Sequence, residues 1–401
     1  MHRSELVLSL PPNLTFMRVF LQSIFGQILF SSYILWRGHQ ALPKKKRWQI
    51  PFVLVFVMEI AIFFIGFLYY NDLPDKIFVP LMMICNTWYI ASLYLSIGLL
   101  VLDCFYLINK RWAWYPMFIN LYWEKTKIFL FFFFTIGITC LMIFGYRNVR
   151  YPTVQHVYLT IPKYAEERDS LTVVLASDWH IGEMIGKKHV QYAVDLCNQQ
   201  NPDLIVITGD LIDYELRFAE RKKIEEDLQQ LKAKLGVYMT LGNHEYRGNR
   251  IAKLRWIEKT GITLLVDSVV APPDSSFYLI GRDDYINHRN RASVHTLMQQ
   301  VDTLKPVILL DHQPNRLNET AMNQVDLALY GHTHNGQVWP YSLFLHLFYE
   351  CPYGYYRKGK THYFITSGVG YAGPPYRIGT HSEIVVVHLR FDYNQLMQQV
   401  Q

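Results

Sequence analysis

Apolar residues fall along this chain in two patterns. Over the first 150 residues they gather into four long runs, about residues 16–36, 50–70, 77–101 and 128–146. Each comes close to or exceeds the roughly 20 residues that carry a helix across a bilayer. None alternates with a period of two and none confines its apolar positions to one stripe; a helix apolar all round lies in lipid or in a very large core. Beyond residue 170 the runs shorten: 171–177 (LTVVLAS), 204–208 (LIVIT), 237–241, 277–280, 307–310 and 327–330. These read as buried strands, and helical periods over 187–199, 218–235 and 249–260 fill the earlier gaps. Alternation of strands with helices predicts an α/β fold. The expected organisation is a transmembrane region with four helices over 1–150, a linker over 151–170 and an α/β domain over 171–401.

Charge separates the same regions. Residues 1–150 hold 14 basic and 6 acidic side chains, net +8, and the remaining residues hold 25 and 27, net −2. The second half therefore lacks the basic field of a nucleic-acid binder, and no nucleic-acid partner is expected. In the first half the bases sit in two loops, Arg37 with Lys44-Lys45-Lys46-Arg47, and Lys110, Arg111, Lys125 and Lys127. Only Asp72, Asp75 and Lys76 lie between the second and third runs. Basic loops stay in the cytoplasm, so the N-terminus and everything after the fourth helix are expected outside it; an odd number of helices would reverse this. The basic loops also suit anionic lipid. No short apolar stretch ending in a cleavage site precedes the first run, which reads as a retained anchor. Residues 112–123 are aromatic but too short to span, and fit an interfacial belt. Glu59, at mid-helix, marks a function by default, although a protonated or helix-paired structural role weighs more. Cys85, Cys104 and Cys140 fall in or beside apolar runs, which leaves Cys197 and Cys351 and no disulfide framework.

Chemistry gathers where the short runs stop. They end, in order, at Asp178-Trp179-His180, Gly209-Asp210-Leu211-Ile212-Asp213, Gly242-Asn243-His244-Glu245, Gly281-Arg282-Asp283-Asp284, Asp311-His312 and Gly331-His332-Thr333-His334. Ligands of α/β sheets collect beyond the carboxyl ends of the strands. One histidine there is more often structural than ligating. Five strand ends supplying Asp/His, Asp, Asn/His, His and His/His are a recurrence that chance does not produce. Glycine before Asp210, Asn243 and His332 permits a sharp turn and close approach. Oxygen and imidazole donors without thiolates suit Mn²⁺, Zn²⁺ or iron. The set is too large for one tetrahedral ion and suits two divalent ions about 3.5–4 Å apart, bridged by a carboxylate.

DxH, GDxxD, GNHE, a lone His and GHTH, in that order from Asp178 to His334, resemble the calcineurin-like metallophosphoesterase family. Asn335-Gly336-Gln337 and Ser367-Gly368-Val369-Gly370 look like its membrane-associated bacterial branch. The resemblance implies a four-layer α/β/β/α sandwich. It implies one metal on Asp178, His180, Asp210 and His334, and a second on Asp210, Asn243, His312 and His332, with Asp210 as the bridge. It also implies that His244 faces the phosphate or leaving group, with Asp213 and Glu245 in support.

Two cations sharing a carboxylate lower the pKa of a water between them, so hydroxide is available near neutral pH for in-line attack on phosphorus. Protonated His244 would donate to the leaving alkoxide. Asn243 lends an oxygen without adding negative charge, and Asp213 reads equally as an orienting acceptor or a turn residue. Arg282, Asp284 and Arg289, with Arg291, are candidate contacts for a second phosphate or a headgroup, set against a plain solvated loop. Tyr349, Tyr353, Tyr355 and Tyr356 beside Arg357, Lys358 and Lys360 suit a membrane interface and an ordinary loop equally.

The expected function is a membrane-anchored hydrolase of a phosphodiester or pyrophosphate, acting outside the cytoplasm on a lipid-linked or envelope phosphate that the tether would hold within reach. The alternative, a catalytically silent membrane sensor or scaffold on the same fold, should lack some ligands, and all are present. A zinc peptidase or amidohydrolase needs HExxH or a leading HxH, and neither occurs. A transporter role for the helices has no repeat or broken-helix pair behind it.

Overall fold

A computed structural model describes residues 12–69 and 73–392. Tyr70 and Asp72, expected at the end of the second run and in the loop after it, lie outside the described residues, as do residues 1–11 and 393–401. The chain divides into two units: one runs to Tyr146 and includes Gly373–Pro375, and the other holds Arg147–Ala372 and the residues from Tyr376 on.

The first unit is helical, with α1 (Pro12–Ala41), α2 (Lys46–Leu68), α3 (Asp75–Trp112), α4 (Met117–Leu121) and α5 (Trp123–Arg150), whose last residues belong to the second unit. Among the described residues three segments are long and apolar enough to cross a membrane: Lys46–Gly66, Asp75–Trp112 and Trp123–Arg150. The helices outrun the apolar runs because nothing stops them. α3 continues past residue 101 through Asp103, Lys110 and Arg111, with no Gly or Pro until Ala113 turns left-handed (φ 48°) ahead of Pro116. The aromatic stretch after it contains α4, and Trp112, Trp114 and Phe118 are exposed. Asp103 on α3 takes Arg37 at 2.5 Å and Tyr33 at 2.8 Å, both from α1. Gln27, Ser31, Glu59, Ser92 and Ser96 are buried.

The second unit is mixed α/β. Its strands are β1 (Thr153–Ile161), β2 (Ser170–Leu175), β3 (Leu204–Thr208), β4 (Val237–Thr240), β5 (Thr263–Leu264), β6 (Ser268–Val270), β7 (Tyr278–Gly281), β8 (Val307–Leu310), β9 (Leu327–Tyr330), β10 (Gly354–Lys358), β11 (Thr361–Ile365) and β12 (Glu383–Phe391). They form two six-stranded sheets, ordered β1-β12-β2-β3-β4-β5 and β10-β11-β9-β8-β7-β6. β2 to β5 are parallel, as are β7, β8, β9 and β11. Residues 151–170, expected as a linker, contain β1, which pairs in parallel with β12 from Thr153 beside Glu383 to Ile161 beside Phe391. As an edge strand β1 keeps polar, partly exposed residues, so its sequence lacks the apolar run of its neighbours.

The helices are α6 (Lys187–Gln199), α7 (Arg217–Lys222), α8 (Ile224–Leu228), α9 (Arg250–Lys259), α10 (Val294–Met298), α11 (Leu317–Met322) and α12 (Tyr341–Leu345). The single helix expected over 218–235 is broken between α7 and α8 where Lys223 turns left-handed, φ 51°. Alternate residues of each strand enter different apolar clusters, as a period of two requires. Ile205 and Ile207 of β3 pack with α6, α8 and α9, while Leu204 and Val206 join Ile308 and Leu310 of β8. Val307 and Leu309 face the other way, toward Leu297 of α10 and Leu317 of α11.

Candidate metal centre

The loops after β2, β3, β4, β8 and β9 bring all seven expected ligands together. His180 Nε2 lies 3.0 Å from His334 Nε2, and Asp178 Oδ1 lies 3.7 Å from that same His334 nitrogen. His312 Nε2 lies 3.1 Å from Asn243 Oδ1 and 3.2 Å from His332 Nδ1. Asp210 Oδ2 stands between the groups, 3.7 Å from His180 Nε2 and 3.2 Å from His312 Nε2. All seven residues are buried except His332, which is half-buried.

The backbone is bent to reach this arrangement. Asp178, His180, Asp210, His332 and His334 take left-handed φ values of 55°, 48°, 53°, 73° and 50°. Each such residue costs on the order of 1–3 kcal/mol, and strain of this kind collects at functional sites. Glycines give the room. A Cβ at Gly242 would strike the Asp210 carboxylate, and one at Gly331 would strike the Asp178 carboxylate.

The residues fit divalent cations. Asp178 Oδ2 is buried without a hydrogen-bond partner, which is rare unless something else completes it. Imidazole nitrogens face one another in both groups, an arrangement that a shared cation resolves. Burial, with His312 nearby, lowers His332 to about 3; burial and His180 hold His334 well below the usual range, so both rings are neutral, the ligating form. Burial raises Asp210, but His312 and His244 outweigh it and hold the carboxyl well below its ordinary value, so it stays ionised.

Further contacts aim these groups. His312 Nδ1 donates to the Thr208 carbonyl at 2.6 Å, which leaves Nε2 for the centre. Glu245 accepts from the backbone N–H groups of Asp210 (2.9 Å), Ile212 (3.1 Å) and Gly242 (2.8 Å), tying the loops after β3 and β4 together. Asp213 accepts from His244 Nδ1 at 2.6 Å. His244 Nε2 lies 3.9 Å from Asp210 Oδ2 and 2.6 Å from Arg247 Nη1. Burial lowers His244 to about 4, with His180 and Arg247 adding to the effect.

Sequence reasoning missed Arg247, Lys253 and Arg377. Arg247 follows GNHE by two positions and was within reach of the motif. Lys253 is buried on α9 and donates to the carbonyls of Asp213 and His244. Arg377 is fully buried, donates to the carbonyls of Ser367, Gly370 and His334, and lies 3.0 Å from His334 Nδ1. Nothing local in the sequence marks it.

Of the three candidate substrate contacts, Asp284 stays within the field of His312: burial raises its carboxyl to about 6, and that field works against the rise. Arg282 turns away toward Asp311 and the Ala292 carbonyl. Asp284 caps the short turn after it, accepting from Ile286 N at 2.7 Å and from Gln313 Nε2 at 3.0 Å. Arg289 is exposed.

The profile described as calcineurin-like phosphoesterase matches residues 171–336. An uncharacterized metallophosphoesterase of Aquifex aeolicus is 31% identical over 253 residues, 60% of this chain and 95% of that protein. The chain belongs to the calcineurin-like metallophosphoesterase family. An uncharacterized metallophosphoesterase of Helicobacter pylori is 30% identical over 61% of this chain and 65% of its own length. A Danio rerio transmembrane protein with metallophosphoesterase domain is 33% identical over 62% of this chain and 60% of its own. The matches thus span less than two thirds of the last two relatives.

Proposed function

We propose that this metallophosphoesterase is a membrane-anchored hydrolase of a phosphodiester or pyrophosphate bond. Asp178, His180, Asp210 and His334 would hold one divalent ion and Asp210, Asn243, His312 and His332 a second, Mn²⁺, Zn²⁺ or iron by their donor chemistry. The position of Asp210 Oδ2 between the two histidine groups carries this reading. The ion pair, when bound, supplies a hydroxide nucleophile and charge for the phosphoryl oxygens. The chain's own residues do the rest. Thr208 and Glu245 keep the ligands in register. Asp213 holds the His244 Nδ1 proton, so Nε2 and the Arg247 guanidinium face the phosphate side; an arriving phosphate anion raises His244 toward its protonated, donating form.

The four-layer α/β/β/α arrangement belongs to the same reading, supported by apolar clusters on both sides of each sheet. So does the topology: four helices through residue 150, basic loops in the cytoplasm, and the catalytic domain outside, near a lipid-linked or envelope phosphate. The test is purified full-length protein, reconstituted with metal, against phosphomonoesters, diesters, nucleotide-diphosphate lipids and phospholipids. Hydrolysis that EDTA abolishes is expected. Metal-loaded protein that cleaves none of them would favour the silent scaffold.

A further inference from the structure

The second sheet carries another polar site on its other face. Successive strand residues point to opposite faces, so the neighbour of a metal-centre residue is turned away from it. His312 joins the centre, whereas Asp311 continues the face of Val307 and Leu309; Tyr330 lies with Ala328, and Arg282 continues the face of Ile280. These three strand ends line a cavity of about 140 Å³. A single water needs about 10–15 Å³ on such a scale.

The cavity is built from charge. The side chains of Arg282 and Arg291 are 7% and 5% exposed, and both reach Asp311 Oδ2, Arg282 Nη1 at 3.3 Å. Arg282 Nη2 is engaged by the Ala292 carbonyl at 3.0 Å and Glu319 at 3.4 Å. At the rim, exposed Arg316 lies over the Tyr285 ring at 5.6 Å, and Arg291 lies over it at 5.8 Å. Three guanidiniums meet two carboxylates, an excess of one positive charge. Arg291 Nε and Nη1, Arg282 Nε and Asp311 Oδ1 are buried with no hydrogen-bond partner. Folded proteins rarely leave such atoms unmet.

The unmet atoms specify what would meet them. The guanidinium N–H groups call for anionic oxygens, while Asp311 Oδ1 calls for a donor. Sulfate satisfies the arginines and opposes the aspartate. A phosphate that keeps a proton satisfies both, with its oxygens on Arg291 and its O–H on Asp311. We propose that this cavity binds hydrogen phosphate, as the free ion or as a monoester headgroup, on the face of the second sheet opposite the metal centre. The site does not depend on hydrolysis at that centre.

The test is equilibrium dialysis of labelled inorganic phosphate against full-length protein held in EDTA, which removes phosphate capture by metal. One phosphate per chain is expected, with sulfate at least about tenfold weaker. Arg291→Gln should weaken binding at least about tenfold, and Arg291→Lys less. Arg316→Gln, at an exposed position that leaves the fold alone, should weaken it in the same direction. No saturable binding at millimolar phosphate, equal affinity for sulfate, or indifference to both arginine changes would overturn the site. Vesicles of phosphatidylcholine with phosphatidic acid separate the two sources: their competition assigns a lipid headgroup, and its absence the free ion. Phosphate binding by a chain that cleaves no ester would leave this site standing and remove only the hydrolase reading.

Discussion

The two units of the chain differ in what they leave exposed. In the helical unit Phe131, Phe132 and Phe133 are 63%, 56% and 59% exposed, while Gln27, Glu59 and Ser92 are 2%, 5% and 0%. In the α/β unit Ile205, Val206 and Leu309 are all 0% exposed. Water cannot account for both distributions, because an apolar surface of that extent on a soluble fold would aggregate or seek a partner. A hydrocarbon solvent accounts for the first and water for the second, since polar side chains in lipid turn toward the protein interior. The difference shows in phenylalanine: three in a row stand exposed on α5, while Phe218, Phe277 and Phe364 of the α/β unit are buried.

The largest expected effect lies in the α/β unit. Asp210→Asn removes the carboxylate common to both histidine groups and should lower diester hydrolysis well beyond the about 10–100-fold typical of a supporting residue. Hydrolysis rates at matched metal content check this, and retention of most activity would count against the shared ligand. Next is packing. Ile205→Ala should cost about 2–5 kcal/mol in thermal or denaturant unfolding, whereas Phe132→Ala on the helical unit should leave its unfolding transition nearly in place; equal losses would erase the contrast. Phe132→Lys should oppose insertion of α5 by about 2.5–3.5 kcal/mol, seen as a smaller inserted fraction when the α5 segment is placed in a glycosylation-mapped insertion assay. An unchanged fraction would mean that the outward face of α5 does not meet lipid.

The smallest effect is a pH dependence. His189 is buried against the Val369 carbonyl, 3.3 Å away; burial lowers it to about 4, and Arg150 and Arg377 add to this. The unfolded ring titrates near 6.5, so between these values the unfolded chain binds the extra proton. Stability is whole above pH 6.5 and falls toward pH 4, by at most about 3 kcal/mol. Melting curves of wild type and His189→Gln at pH 7 and 5 should converge for the variant and separate for wild type; parallel shifts would mean that His189 is neutral to the effect.

Strands with a continuous apolar run were legible. β3 at Leu204–Thr208, β8 at Val307–Leu310 and β9 at Leu327–Tyr330 have the expected limits. Their abrupt change from apolar to Gly, Asp or His made the ligand positions readable too. β1 was not legible, because an edge strand shows half its residues to solvent and loses the run. β10, polar and partly exposed, stood in the same difficulty, whereas β12 carries a buried apolar run, Ile384–Val387, that sequence reasoning missed. Arg377 reaches the centre through His334, 43 residues away, which no spacing reports. The division of strands between two sheets is set by pairing across the whole chain, as when β12 enters between β1 and β2.

That insertion bears on how the protein is made. A ribosome delivers β1 and β2 early, but the gap between them closes only when Glu383–Phe391 emerges, more than two hundred residues later. Until then two strand edges wait open, and contacts this distant in sequence form slowly. The first sheet can therefore be sealed only once residues 383–391 have been made, and a stop codon just ahead of residue 383 would leave a protein with every ligand present and no finished sheet to hold them.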